Sequence, residues 1–264
     1  GFIGGASIGR EGPTVQLASS GFAWMGRWLQ KRSIKVDPQS FLVAGAAAGV
    51  AAAFNTPIAG ITFAIEEIAE GAFGSFKQIV MLAVIIAGVA AQALAGNYLY
   101  FGHPSVGSFS VLILPQSIAV GALAGLAGGL FAKLLAFPAI SRLPAHWKKR
   151  ALICGILCAI LSYLSQGDTA GTGYEMTRRA LEANDVTSFR LLSPVTKLIA
   201  TVLSYLSGMA GGIFSPSLSI GAGIGLAVAK IFHVVNFKAF ALMGMVGFFS
   251  GAVQAPLTGM IIVM

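Results

Sequence analysis

The chain has 264 residues, of which 56% are apolar and only 10% charged, with a net charge of +8. A soluble domain averages about 25% charged residues, so this composition argues against a water-soluble globule. The basic residues gather in short loops, Lys31, Arg32 and Lys35 and then Arg142, His146, Lys148, Lys149 and Arg150; they read as cytoplasmic loops under the positive-inside rule, and no aromatic–basic interleaving or finger spacing points to nucleic acid.

Apolar segments are predicted at 14–29, 41–54, 57–70, 76–95, 112–137, 151–165, 191–209, 216–235, 239–250 and 256–264. A membrane span needs about 20 apolar residues. Several segments fall short of that, notably 41–54 and 57–70, which Pro57 separates. Short runs broken by Gly and Pro predict helices that stop partway through a bilayer, where broken backbone lines a path or is buried in protein. The stretch 97–110 reads as a connector, with Tyr98, Tyr100 and Phe101 suited to an interfacial belt. Cys154 and Cys158 lie four apart with no His or acid beside them, so they read as packing residues. The most polar stretch, 166–190, carries Asp168, Glu175, Arg178, Arg179, Glu182, Asp185 and Arg190 around a short amphipathic helix from Tyr174 to Ala183; a solvated face is expected there. The start lacks both a secretory leader pattern and a Met, and the last apolar run stops at Met264, so both ends read as cut.

Two motifs recur in order. Phe41, Gly45, Pro57 and Gly60 match Phe240, Gly244, Pro256 and Gly259 at a constant offset of 199 residues. Gly9 and Pro13 match Gly212 and Pro216 at an offset of 203. Two paired motifs in the same order predict a duplicated transporter-type fold. The expected division is 1–110 for the end of a first repeat and 111–264 for a second repeat lacking its last helices, together one transmembrane domain.

The motifs G-R-E-G-P and G-I-F-S-P each set Gly before Pro and open an apolar helix. A helix start presents partnerless N–H groups and the positive end of the dipole. Two facing starts would bind an anion without a full positive charge, so that it can also leave. Glu11 lies in the first of these starts. Ionised, its carboxylate would take the anion's place; protonated, it would yield it, making one group both gate and proton carrier. A charged residue at membrane depth is functional by default. Glu66 and Glu67 end the segment that Pro57 begins. With the 31–35 loop cytoplasmic, Glu67 falls near the cytoplasmic end, across the barrier from Glu11, as a proton relay requires. No nucleophile–base pair, H-E-x-x-H or metal set accompanies the apolar segments, and His103, His146 and His233 lie at loops or segment ends, so an enzyme is not expected. No cofactor is expected either.

At these residues the sequence resembles the CLC chloride channel and transporter family. G-R-E-G-P-T-V-Q at 9–16, A-A-A-F-N-T-P-I-A-G-I at 51–61, Glu66-Glu67, G-G-I-F-S-P-S-L at 211–218 and A-P-L-T-G at 255–259 look like family motifs in family order. The resemblance implies an all-α membrane protein, an inverted-repeat bundle of tilted, broken and partially spanning helices. It implies a multi-pass homodimer in a bilayer, expected in a prokaryotic cell membrane, with a separate anion path in each subunit. It also implies that Glu11 is the external gating glutamate, that Glu67, with Glu66 beside it, is the internal proton-transfer acid, and that backbone amides at Arg10, Glu11, Gly12, Ile213 and Phe214 line the anion site. An acid at Glu67 favours chloride/proton antiport over a passive channel, and together with G-R-E-G-P speaks against the fluoride-type branch.

Some family features fall outside this sequence. The serine motif would precede Gly1, the coordinating tyrosine would follow Met264, no regulatory domains follow, and the second repeat stops one residue short of the position matching Glu66. A passive channel and a non-transporting fragment are therefore the alternative expectations.

Overall fold

The computed structural model describes residues 4–68, 73–96, 100–102, 104, 106–107, 111, 113–136, 147–183 and 185–264. Among the described residues the chain is helical without strands. The helices are α1 (Glu11–Lys31), α2 (Pro38–Phe54), α3 (Pro57–Phe63), α4 (Phe73–Ala95), α5 (Ile113–Ala136), α6 (Trp147–Leu164), α7 (Tyr174–Glu182), α8 (Ser193–Leu206), α9 (Phe214–Ile231), α10 (Phe237–Val253) and α11 (Pro256–Val263), with a π turn, Ala64–Ile68, continuing α3. The stretches Lys77–Ala95, Ile113–Ala136 and Phe214–Ile231 are long and apolar enough to cross a membrane. On α4, Leu82, Ile85, Ile86 and Val89 are exposed, and on α5 so are Ile118, Leu126 and Leu130. Such apolar outer faces suit lipid rather than water. Tyr98, expected in an interfacial belt, lies outside the described residues, as do Arg142, His103 and His146.

The chain forms two compact units: Gly1–Gly9 with His103–Gln254, and Arg10–Gly102 with Ala255–Met264. Their boundaries differ from the repeat halves, because each unit takes a short end of the chain from the other half.

In the unit holding α1–α4 and α11, Pro38 opens α2 at its first turn, where Pro lacks no needed donor. Asp37 caps it, accepting from Ser40 N–H at 2.9 Å and from the Ser40 hydroxyl at 2.7 Å. The helix ends on Asn55, which is left-handed at φ 55°. Pro57 then begins α3, as its fixed φ and missing donor favour. Val43, Ala44, Ala47, Ala48, Val80 and Val84 build the core between α2 and α4. At Gly45 a Cβ would lie 2.8 Å from Ala18 O on α1, so only Gly permits this helix approach.

In the other unit, Ala124, Phe131, Ile220 and Phe248 pack α5, α9 and α10 together. Here α10 lies at the 199-residue offset from α2, with Phe240 and Gly244 at the places of Phe41 and Gly45. Both have 17 residues and both end in a left-handed polar cap, Asn55 at φ 55° and Gln254 at φ 67°. Gly244, the equivalent of Gly45, plays the same part: a Cβ there would lie 2.9 Å from Gly225 N on α9. The duplication read from Gly and Pro spacing is thus repeated in helix length, cap conformation and packing contact.

Candidate functional site

Both helix starts singled out in the sequence are present and built alike. In α1 the first residues are Glu11, Gly12 and Pro13, and the Thr14 N–H is bonded to Arg10 O at 3.1 Å. In α9 they are Phe214, Ser215 and Pro216, and the Ser217 N–H is bonded to Ile213 O at 2.9 Å. In each start the third residue is a Pro, Pro13 in α1 and Pro216 in α9, which has no N–H to offer. Neither Arg10 nor Ile213 caps its helix with a side chain.

The lead-in to each start is held by a reciprocal backbone pair. Gly9 N–H donates to Gly212 O at 2.6 Å and Gly212 N–H donates to Gly9 O at 2.7 Å, an isolated antiparallel bridge. Gly9 and Gly212 each stand two residues before their helix. The bridge lies within one compact unit, which also contains Ile213 and Phe214, whereas Arg10, Glu11 and Gly12 belong to the other.

Glu11 is fully buried, 0% exposed, at the first position of α1. The Tyr100 hydroxyl donates to Glu11 Oε1 at 3.4 Å. Tyr100 packs edge-on against Phe54, ring centroids 5.1 Å apart, and against Phe101 at 4.9 Å. The exposed Arg10 guanidinium stands over the Tyr100 ring, 5.8 Å from its centroid, within cation–π reach. The interfacial belt expected of Tyr100 and Phe101 is therefore corrected. They are 2% and 4% exposed, Tyr100 against the Glu11 carboxylate and Phe101 against the Tyr100 ring. Aromatic rings beside a polar connector resemble a belt in composition, and only the return of the chain onto α1 shows otherwise.

Glu66 and Glu67 lie on the π turn that ends α3. A π turn inserts an extra residue and re-aims the side chains that follow, often at functional positions. Glu66 turns to α11: its carboxylate accepts from Leu257 N–H at 2.8 Å, from Thr258 N–H at 2.7 Å and from the Thr258 hydroxyl at 2.7 Å. It thus caps the first turn of the helix related by the repeat to its own. Glu67 is exposed. Sequence spacing placed the two acids together, but gave no sign of this long-range cap. Among the described residues no group of three His, Cys, Asp or Glu side chains is arranged to hold a metal.

The family model described as voltage gated chloride channel matches residues 1–264. The H(+)/Cl(-) exchange transporter ClcA of Vibrio parahaemolyticus is 32% identical, covering 98% of this chain and 58% of its own length. The protein of the same name from Vibrio cholerae is 34% identical with the same coverage. The one from Yersinia pestis is 32% identical over 100% of this chain and 59% of its own length. The chain thus spans somewhat under six tenths of these relatives. Among solved structures, a CLC-type fluoride/proton antiporter superposes with a TM-score of 0.85 at 25% identity, covering 98% of this chain and 65% of that one. A slow cyanobacterial Cl-/H+ antiporter superposes at 0.83, with 23% identity and coverage of 99% and 64%.

Proposed function

Because the chain belongs to the voltage-gated chloride channel family, we propose that it is membrane core of a chloride/proton exchanger in which Glu11 serves as both gate and proton carrier. The observation that carries this reading is a carboxylate, fully buried, at the first residue of a helix whose start is duplicated at Phe214. A helix start stabilises negative charge through its N–H groups and dipole. Two anions compete for that charge. Ionised Glu11 takes the place and bars the ion. Protonated Glu11 carries no charge to hold it there and gives way to chloride.

In this reading the amides of Arg10, Glu11 and Gly12 and those of Ile213 and Phe214 line one anion path. The partial charges of amides hold chloride firmly enough to enter and loosely enough to leave. Glu67, exposed at the end of the π turn, passes protons between the cytoplasm and Glu11. Glu66 is assigned mainly to holding α11, beside that route. The repeats divide at 110, the protein is a multi-pass homodimer in a prokaryotic cell membrane, and each subunit has its own path. Protein relatives at 32–34% identity named for H(+)/Cl(-) exchange support chloride and protons as the transported ions, and support a transporter over an enzyme.

The test is transport by the full-length protein in liposomes. An outward chloride gradient should drive protons uphill until the gradient is spent. Chloride flux without proton movement would make it a passive channel. Flux of neither ion would mean that the protein does not transport chloride.

A further inference from the structure

Helix α8 runs through an apolar stretch of sequence, yet carries a lysine that is fully buried. Lys197 is 0% exposed. Its Nζ donates to Gly171 O at 2.8 Å, Thr169 O at 2.9 Å and Ala170 O at 3.4 Å. The three carbonyl oxygens match in number the three N–H donors of an ammonium. Burying a charge is costly unless it is well satisfied, so these carbonyls hold the lysine as firmly as it holds them. The turn it clasps is Gly-rich, with Gly171 and Gly173 both at positive φ. At Gly173 a Cβ would lie 2.9 Å from Lys197 Cε, so the turn is moulded onto the lysine stem.

The same turn reaches the segment that leads to Glu11. Gly171 N–H donates to Ala6 O at 3.1 Å, and Ala6 lies three residues before the Gly9–Gly212 bridge. One face of α8 reaches that segment directly as well. Lys197, Thr201 and Ser204 are spaced four and three apart, which puts them on one side of the helix. Ser7 N–H donates to Ser204 Oγ at 2.9 Å. The Thr201 hydroxyl gives its one proton to Lys197 O at 2.8 Å, so in its 2.8 Å contact with Ser7 Oγ it accepts. The segment 6–9 is therefore gripped at Ala6 by the turn that Lys197 holds, at Ser7 by Thr201 and Ser204, and at Gly9 by Gly212.

We propose that Lys197 is a positioning residue for the anion path: its ammonium fixes the turn at 169–171, and that turn, with Thr201 and Ser204, sets the segment that delivers Glu11 to its place. This rests on the reading of Glu11 as the gate. The lysine touches neither ion; it acts through backbone, and its charge serves the carbonyls.

The test compares Lys197→Met and Lys197→Arg in the full-length protein. Two quantities are read, amide hydrogen exchange at Gly9 and Gly212 and chloride affinity by calorimetry. In Lys197→Met, exchange at both glycines should quicken at least about tenfold, since local opening governs exchange. Chloride affinity should fall about tenfold, equivalent to about 1.4 kcal/mol. Lys197→Arg, which keeps the charge and donors, should restore both most of the way. Wild-type exchange in Lys197→Met overturns the proposal, and so does faster exchange with unchanged chloride affinity. Should Lys197→Met not fold, Ser7→Ala and Thr201→Val decide in its place: faster exchange with weaker chloride binding upholds the seam, and wild-type values overturn it. A wild-type protein that binds no chloride would refute the gate reading instead, while the exchange rates still judge the positioning.

Discussion

Gly9 and Gly212 exchange both backbone hydrogen bonds, at 2.6 and 2.7 Å. The residues stand at equivalent places in a duplicated sequence, each two positions before a helix with Pro third in its first turn. A reciprocal pair leaves no freedom to slide one segment along the other, because a slip by one residue would break both bonds. The lead-ins to the two repeat-related helix starts are therefore fixed to one another.

The close fit around this bridge predicts the effect of a single methyl. A Cβ at Gly211 would lie 2.6 Å from Ile8 Cβ and 2.9 Å from its Cγ2 and Cδ1. Gly211→Ala should lower unfolding stability by about 1–3 kcal/mol through overpacking, seen as a reduced Tm in detergent. Pairing it with Ile8→Ala should recover part of that loss, because the clash is with that side chain.

Tyr100 joins the Glu11 carboxylate to the Phe54 ring, and its two contacts are separable. Tyr100→Phe keeps the packing on Phe54 and loses only the 3.4 Å contact to Glu11. It should cost about 0.5–1.5 kcal/mol or less, as for one hydrogen bond. Tyr100→Ala, which also removes the ring, should cost about 3–5 kcal/mol. In a double-mutant cycle with Glu11→Gln, Tyr100→Phe should be non-additive, as contacting residues are.

Of the two acids on the π turn, Glu66 should govern stability and Glu67 coupling. Glu66→Ala strands two N–H groups and a hydroxyl at the start of α11 and should cost about 1–3 kcal/mol. Glu67→Gln should leave Tm and chloride flux near wild type while reducing proton flux. Intact proton coupling in Glu67→Gln would remove Glu67 from the route.

Much of this was legible in the sequence because it is written in Gly and Pro. Pro57 and Pro256 mark where α3 and α11 begin, and Gly45 and Gly244 mark where helices meet closely. These residues carry backbone instructions that do not depend on distant partners. The left-handed ends at Asn55 and Gln254 were not foreseen, since neither is Gly and each looks like an ordinary polar residue. The belt reading of Tyr100 failed, and the contacts of Glu66 and Lys197 were not foreseen, for one shared reason. Each is defined by a partner 26 to 192 residues away, and local composition says nothing about which distant carbonyl or amide a side chain will meet. Lys197 was hidden further by the apolar run around it, where one charge barely alters the average.

Outside the membrane segments, Asp37 gives a pH prediction. The Ser40 hydroxyl, followed by the Ser40 amide, holds its carboxyl below the ordinary value of 3.8. A carboxyl lowered by folding adds stability above its unfolded pKa and loses it as pH falls through the folded value. Unfolding followed from neutral pH into acid should therefore show a loss beginning below about pH 5. Asp37→Asn, which cannot titrate, should flatten that part of the curve.

The dual role proposed for Glu11 is tested most directly by following proton and chloride movement together in vesicles containing Glu11→Gln protein. The side chain keeps its size but can no longer exchange a proton. Proton movement should be abolished while chloride still passes. Proton transport that persists in Glu11→Gln, still driven by the chloride gradient, would contradict that role.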